Sequence, residues 1–168
     1  MTAGATTLRW SHVALNCTDQ AATEAFYVRW FGFRRVRRAP LGGGGEILFL
    51  RRGEVLLELF AADGPVAASP GRAADLADGP ARAGTVRHLA FQTDDLDDFL
   101  ETAVGHLRVS LGPISFDGFL PGWRSVWVLD PDDVVVEVSQ GYRDEAPPAP
   151  AAAPAVARTD AEGPANGE

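Results

Sequence analysis

An internal repeat constrains the fold of this chain more than any other feature. The segment "HVALNCTD", which begins at His12, aligns without a gap with "HLAFQTDD", which begins at His88. The segments "VLLEL" and "VVVEV" also align, and they match Glu58 to Glu137. The spacings between the two matched pairs differ by three residues, an ordinary change in loop length. The sequence therefore predicts two copies of one supersecondary unit.

Each copy has the same order of predicted elements. An alternating strand, "LRWSHVALNC" or "VRHLAFQT", precedes a helical segment, "TDQAATEAFYVRWFGF" or "DDLDDFLETAVGHL". Three more strand-like runs follow each helix, and turn signals at Gly53 and "DPDD" separate the last two runs of each copy. We therefore predict a βαβββ module over residues 8–62 and a second one over residues 85–142.

Three segments lie outside these modules. Residues 1–7 form a short N-terminal extension. Residues 63–84 are rich in Gly, Pro, Ala and Asp, which is typical of a linker, with room for one helical turn. Residues 143–168 are mainly Ala, Pro and acidic residues, and we predict a disordered tail because so little apolar surface can be buried there.

Charge and composition exclude several classes of protein. The net charge is −8 and all 15 basic residues are Arg, so we expect no nucleic-acid partner and no lysine Schiff base. The one cysteine, Cys17, leaves neither an intrachain disulfide nor a cysteine-based zinc cluster. The start of the chain lacks a basic segment followed by a long apolar stretch, and no segment approaches the roughly 20 apolar residues of a membrane span. We expect a cytoplasmic protein without a membrane partner.

The repeat places chemically versatile side chains at equivalent positions. His12 and His88 lie on the first strand of each module, and Glu58 and Glu137 lie on the last. A carboxylate within a run of valines is costly unless it faces water, pairs with a cation or binds a metal. Two imidazoles and two carboxylates suit a divalent ion such as Zn, Ni, Co, Mn or Fe. Taken singly, each residue is an ordinary strand residue, and Glu58 could face water; four matches across the repeat favour a metal site.

Other polar and aromatic side chains are candidate substrate contacts. Asn16 and Gln92 share a strand face with the two histidines, because alternate residues of a strand point the same way. Trp123 and Arg124, in "FLPGWR", could meet an aromatic or anionic substrate, although a packed turn explains them equally well.

The double βαβββ layout resembles the vicinal oxygen chelate superfamily, which includes glyoxalase I, methylmalonyl-CoA epimerase, extradiol dioxygenases, and fosfomycin and bleomycin resistance proteins. The resemblance covers about residues 8–142, and the four ligand positions fall on His12, Glu58, His88 and Glu137. "DPDDVVVEVSQ" is similar to the superfamily's turn and last strand, except that Asp133 and Val134 replace the usual Gly-Asn. The resemblance implies an α+β fold in which paired curved half-barrel sheets surround a metal site.

The fourth ligand position divides the superfamily. Glyoxalase I and the epimerases have Glu or Gln there, so Glu58 implies a metal-dependent lyase or isomerase that isomerises or epimerises a small oxygen-chelating substrate through a metal-stabilised enolate. Glu58 or Glu137 would be the general base. Two alternatives stay open: an extradiol-type Fe(II) dioxygenase that uses His12, His88 and Glu137, or a metal-free drug-binding resistance protein. A homodimer is expected, with the site either within one chain or shared between two.

Overall fold

The computed structural model describes residues 8–62, 64 and 75–145, and each half is a βαβββ module, as predicted. The first module consists of β1 (Val13–Cys17), α1 (Gln20–Phe31), β2 (Arg34–Pro40), β3 (Glu46–Arg52) and β4 (Val55–Ala61). The second consists of β5 (Leu89–Gln92), α2 (Leu96–Ala103), β6 (Arg108–Ser115), β7 (Arg124–Leu129) and β8 (Val135–Gln140). The N-terminal extension, most of the predicted linker and nearly all of the predicted tail lie outside the described residues.

Local sequence explains where the first helix begins and ends. The carboxylate of Asp19 accepts hydrogen bonds from the backbone N–H groups of Ala21 and Ala22, at 2.9 and 3.1 Å, and so caps α1. Gly32, with φ +63°, ends α1 in the left-handed conformation that glycine adopts without steric penalty. Asp95 caps α2 in the same way as Asp19 caps α1, through a 3.0 Å bond from the N–H of Asp98.

Each module forms one mixed four-stranded sheet. The strand orders are β1-β4-β3-β2 and β5-β8-β7-β6, with the first pair of each sheet parallel and the other pairs antiparallel. Ala14 of β1 pairs with Glu58, and Ala90 of β5 pairs with Glu137. The two modules therefore share the register of their first and last strands, which confirms the internal repeat at the level of single residues.

The two modules share a hydrophobic core. Leu57 and Leu59, on the face of β4 opposite Glu58, belong to the same buried cluster as Val136 and Val138, on the face of β8 opposite Glu137. Aromatic contacts cross the boundary between the modules: the ring centroid of Phe31 lies 4.8 Å from that of Phe91. The faces that carry the two glutamates are consequently turned away from this core.

Polar contacts also join the modules at the turn before β8. Asp132 accepts hydrogen bonds from the backbone N–H of Thr18 at 2.9 Å and from the hydroxyl of Thr23 at 3.0 Å. Within the turn, Asp133 has φ +66°, a conformation that glycine adopts more readily. This is the position at which the sequence has Asp in place of the superfamily's usual Gly, and Asp133 adopts a conformation that suits that Gly.

The described end of the predicted linker, residues 75–84, packs against the second module. Leu76 packs against the buried cluster that contains Trp127 and Val135. The carbonyl of Ala77 accepts a 2.7 Å hydrogen bond from Ser110 of β6. This segment therefore supports the sheet that carries Glu137. Neither α1 nor α2, nor any other helix in the described ranges, is long and apolar enough to cross a membrane.

Candidate metal centre

The first candidate pair, His12 and Glu58, lies at the partly open face of the first sheet. His12 immediately precedes β1, and its Nε2 lies 3.5 Å from Oε2 of Glu58. Nδ1 of His12 lies 2.9 Å from the hydroxyl of Ser11. The side chains are 40% and 16% exposed, respectively, so solvent reaches both groups.

The second pair, His88 and Glu137, is tighter and more buried. Nε2 of His88 lies 2.8 Å from Oε2 of Glu137, and the two side chains are 21% and 7% exposed. Nδ1 of His88 lies 2.7 Å from the backbone carbonyl of Asp78. The hydroxyl of Ser125 donates a 2.6 Å hydrogen bond to Oε1 of Glu137. The glutamate within the valine run is thus buried with a partner at each oxygen.

The chemistry of both pairs fits a divalent metal. Each histidine has a hydrogen-bonding partner at Nδ1 and presents Nε2 to a carboxylate, which is how histidine ligands are commonly oriented for a metal. Imidazole nitrogens and carboxylate oxygens bind ions such as Zn, Mn, Co, Ni and Fe. Within each pair, the imidazole nitrogen and the carboxylate oxygens are therefore suitable ligands for a divalent metal, both in type and in orientation.

The two pairs are not brought together within one chain. Across residues 8–62, 64 and 75–145, no group of three or more His, Cys, Asp or Glu side chains is arranged to hold an ion. The reason is the shared core, which packs the opposite faces of β4 and β8 and leaves Glu58 and Glu137 on outward faces.

The predicted substrate contacts differ in position. Asn16 pairs with Phe60 and Gln92 pairs with Ser139, two residues beyond the glutamates, so both amides lie on the His–Glu faces, where they are exposed. Their placement is consistent with contacts to a ligand bound there, and their role stays a prediction.

Arg124 lies away from the His–Glu pairs, whereas Trp123 belongs to an aromatic cluster with Phe116 and Trp127, and Trp127 lies beside His88. The ring of Trp123 packs against Phe116, with centroids 4.6 Å apart. Arg124 forms a two-point ion pair with Asp97 of α2, with N–O distances of 2.9 and 2.7 Å. Because Ser125 points to Glu137, Arg124 points to the opposite face of the sheet.

Sequence reasoning missed two residues beside Glu137. Ser125 contacts the carboxylate directly, and Trp127 is paired with Glu137 in the β7–β8 ladder. Trp127 is 5% exposed, and its indole N–H has no hydrogen-bond partner among the described residues. The sequence did contain one signal for these two residues: side chains alternate along the strand "RSVWVLD", which places Ser125 and Trp127 on one strand face.

A cavity of about 480 Å³ adjoins the second pair. It lies between β1, the segment that precedes β5 and the turn before β8, and its lining includes Ala14, Leu76, His88 and Val135. This volume lies in the range of small-molecule sites, so a ligand has room next to His88.

Fold and site together define a duplicated βαβββ protein with a His–Glu pair on each sheet. The chain belongs to the Glyoxalase/Bleomycin resistance protein/Dioxygenase superfamily, whose sequence model matches residues 9–138. This match confirms the resemblance found in the sequence.

Individual relatives agree with this assignment. The chain is 30% identical over 129 residues to the uncharacterized protein YwkD of Bacillus subtilis, covering 76% of this chain and 92% of YwkD. A glyoxalase family protein from Enterococcus faecalis has 27% identity and a TM-score of 0.59, over 78% of this chain and 96% of that one. The fosfomycin resistance protein FosX from Listeria monocytogenes, solved with Mn(II) and sulfate, shares the fold at 17% identity and a TM-score of 0.56, over 82% and 95% of the two chains.

Proposed function

We propose that this protein is a divalent-metal-dependent enzyme that isomerises or epimerises a small substrate with neighbouring oxygen atoms. The observation that carries this proposal is the equivalence of the two His–Glu pairs. In both, the histidine turns Nε2 toward a carboxylate that occupies the same register of the sheet. The FosX structure with Mn(II) supports the choice of a divalent ion.

The metal ligands in this proposal are His12, Glu58, His88 and Glu137. A bound ion would polarise a substrate oxygen and stabilise the negative charge that develops there. A glutamate then takes a proton from the adjacent carbon: the C–H bond breaks, its electron pair stays on the substrate, and an O–H bond forms on the carboxylate. Return of the proton to the same carbon gives epimerisation, and return to the neighbouring carbon gives isomerisation.

We further propose that the site is completed by a second copy of the chain. Each copy offers one His–Glu pair on an outward face of each sheet, and the shared core keeps the two pairs of one copy apart. In a twofold dimer, the pair formed by His12 and Glu58 in one copy would meet the pair formed by His88 and Glu137 in the other.

Metal binding tests the ligand assignment. Protein purified without chelators is assayed for metals, and Co(II) binding to the metal-free protein is measured by calorimetry and visible absorption. We expect stoichiometric binding that is lost in His88→Ala and retained in His106→Ala, a control because His106 is exposed and stacks near Trp30. Absence of stoichiometric metal would contradict the proposal and favour a metal-free binding protein. Oxygen-sensitive ferrous iron would favour the dioxygenase alternative.

Solvent exchange tests the reaction class. The Co(II)-loaded protein is incubated in D2O with a thiol adduct of a 2-oxoaldehyde and with a 2-alkylmalonyl thioester, and deuterium incorporation at carbon is followed by NMR. We expect incorporation with one of these substrate types. Metal-dependent ring cleavage of a catechol, without carbon exchange in either probe, would favour the dioxygenase.

Mixing two inactive variants tests whether the site is shared. One variant carries His12→Ala and Glu58→Ala, and the other carries His88→Ala and Glu137→Ala. In a mixed dimer, one of the two shared sites regains all four ligands, so Co(II) binding returns after mixing and subunit exchange. No recovery, with mixed dimers verified by mass spectrometry, would contradict a shared site.

A further inference from the structure

The two His–Glu pairs are not equivalent in how the carboxylate is held. Glu137 is paired with Trp127 in its sheet, and Glu58 is paired with Phe49 in the other. Two residues earlier on the same strands, the equivalent positions hold Ser125 and Ile47. Ser125 donates a 2.6 Å hydrogen bond to Glu137, whereas the aliphatic side chain of Ile47 has no donor to offer.

The Glu137 carboxylate is also more buried, and closer to its histidine, than the Glu58 carboxylate. The Glu137 side chain is 7% exposed and lies 2.8 Å from its histidine, whereas the Glu58 side chain is 16% exposed and lies 3.5 Å from its histidine. Within the described part of the chain, the His12 contact is the one polar contact recorded for the Glu58 carboxylate. Glu58 therefore has more freedom to move than Glu137.

We propose that Ser125 is a positioning residue that fixes Glu137 as a permanent metal ligand, and that Glu58 is the catalytic carboxylate that takes and returns the proton. This inference rests on the proposed function and assigns different roles to its two glutamates. Rotation of Glu137 breaks a charge-assisted hydrogen bond in a buried setting, whereas rotation of Glu58 breaks no such bond. The difference that most directly distinguishes the ligand from the base is therefore Ser125 in the second module against Ile47 in the first.

Metal affinity tests the role of Ser125 without reference to turnover. Removing a group that orients a metal ligand typically lowers affinity 10–100-fold, so we expect Ser125→Ala to weaken Co(II) binding by about that factor. Ser125→Thr keeps the hydroxyl and should restore most of the affinity. Ile47→Val, at the equivalent position of the first module, is the matched control and should leave affinity unchanged. Thermal melting verifies that each variant is folded.

Exchange of substrate hydrogen with D2O at saturating Co(II) tests the role of Glu58. Loss of a general base typically lowers a reaction rate about 10²–10⁴-fold, so we expect Glu58→Gln to slow hydrogen exchange by about that factor. Glu137→Gln changes a proposed metal ligand, so it should weaken Co(II) binding; at saturating Co(II) we expect it to lose less exchange than Glu58→Gln does. Ile47→Ser offers a new hydroxyl beside Glu58 and should slow exchange without weakening Co(II) binding.

The outcomes separate this inference from the proposed function. A wild-type protein that binds no Co(II) rejects both. Suppose that the wild-type protein binds Co(II) and exchanges hydrogen, and that Ser125→Ala binds Co(II) with unchanged affinity. The proposed function then stands, and only the role of Ser125 is rejected. Loss of exchange in Glu137→Gln with retention in Glu58→Gln reverses the assignment of the base and overturns the inference.

Discussion

The phenol of Tyr27 donates a 3.2 Å hydrogen bond to Oδ2 of Asp130 and so joins α1 of the first module to the turn before β8. Both side chains are buried. Burial raises the pKa of Asp130 to about 6, and burial together with the neighbouring Asp130 raises the pKa of Tyr27 well above its usual range. The boundary between the modules therefore contains an acid that is protonated more easily than an ordinary aspartate.

This pKa shift predicts a pH dependence of stability. The folded chain binds more protons at Asp130 than the unfolded chain does between pH about 4 and about 6, so the free energy of unfolding falls as pH rises through that window. The shift of about two pH units corresponds to about 3 kcal/mol. We expect Asp130→Asn to remove most of this fall, since the amide oxygen still accepts from the N–H groups of Asp132 and Val134.

Urea denaturation of both proteins at intervals from pH 4 to pH 7 provides the measurement. The informative quantity is the difference in the free energy of unfolding between wild type and variant at each pH. Exposed carboxylates with lowered pKa, such as that of Asp97, make this free energy rise with pH, but they do so equally in both proteins. Parallel pH profiles for the two proteins would show that Asp130 is not the group responsible.

Asp132 is predicted to hold the two modules together. Its carboxylate accepts hydrogen bonds from the backbone of Thr18 and the hydroxyl of Thr23, both in the first module. Asp132→Ala removes these bonds, but the Thr23 hydroxyl keeps the carbonyl of Asp19 at 3.1 Å and Thr18 is exposed to water, so we expect a loss of about 1 kcal/mol in the free energy of unfolding. Asp94→Ala, a change at an exposed position near β5, is the control and should have little effect. Equal stabilities for the two variants in urea would count against this role.

Gly79 is predicted to be essential for the support of His88. It has φ +104°, and a Cβ there would lie 1.7 Å from the carbonyl oxygen of Arg87. Gly79→Ala must therefore displace this segment, whose Asp78 carbonyl lies 2.7 Å from Nδ1 of His88. We expect both stability and Co(II) affinity to fall.

Gly84→Ala is a matched control for this change. Gly84 also has a positive φ, +80°, but a Cβ there meets no atom within 4 Å. We expect only the conformational penalty of about 1 kcal/mol and unchanged Co(II) affinity. If Gly79→Ala binds Co(II) as tightly as Gly84→Ala does, the segment that contains Asp78 and Gly79 has no role in orienting His88.

Cys17 is predicted to be unreactive in the folded protein. It is fully buried, and burial raises its thiol pKa from 9.0 to about 11. At pH 8, a shift of this size lowers the thiolate fraction about 100-fold, and the thiolate is the reactive form. We expect labelling by Ellman's reagent to be slow in buffer and fast in denaturant. Rapid labelling of the native protein would indicate that β1 opens locally.

Arg124 is predicted to be replaceable. Its guanidinium is paired with Asp97 on the face opposite Glu137, so Arg124→Gln should leave both Co(II) affinity and the KM for substrate unchanged. A clear rise in KM, with unchanged melting temperature, would instead support the sequence-based assignment of Arg124 as a substrate contact.

The sequence predicted the modules well because several independent signals agreed. His12 and His88 marked equivalent first strands, and the glutamates marked equivalent last strands; the registers Ala14–Glu58 and Ala90–Glu137 confirm that equivalence. Strand alternation also placed Asn16 and Gln92 on the same strand faces as the histidines. These relations are local or follow directly from the repeat, so they can be derived from a single sequence.

Two features of the site were beyond such reasoning. The bond from Ser125 to Glu137 depends on the register between β7 and β8, which alternation alone does not specify. The separation of the two His–Glu pairs depends on which faces of the sheets pack together, because a pseudo-twofold arrangement is compatible with either face forming the core. Tertiary packing decides both.

The shared core also has a consequence for how the chain folds. The apolar faces of β4 and β8 pack in one cluster, and Phe31 of the first module contacts Phe91 of the second. A module expressed alone would leave much of this surface in water, at a cost of about 25 cal/mol for each Å² exposed. The repeated unit of the sequence is therefore smaller than the cooperative unit of folding: each repeat encodes half of a structure that gains its stability only as a whole.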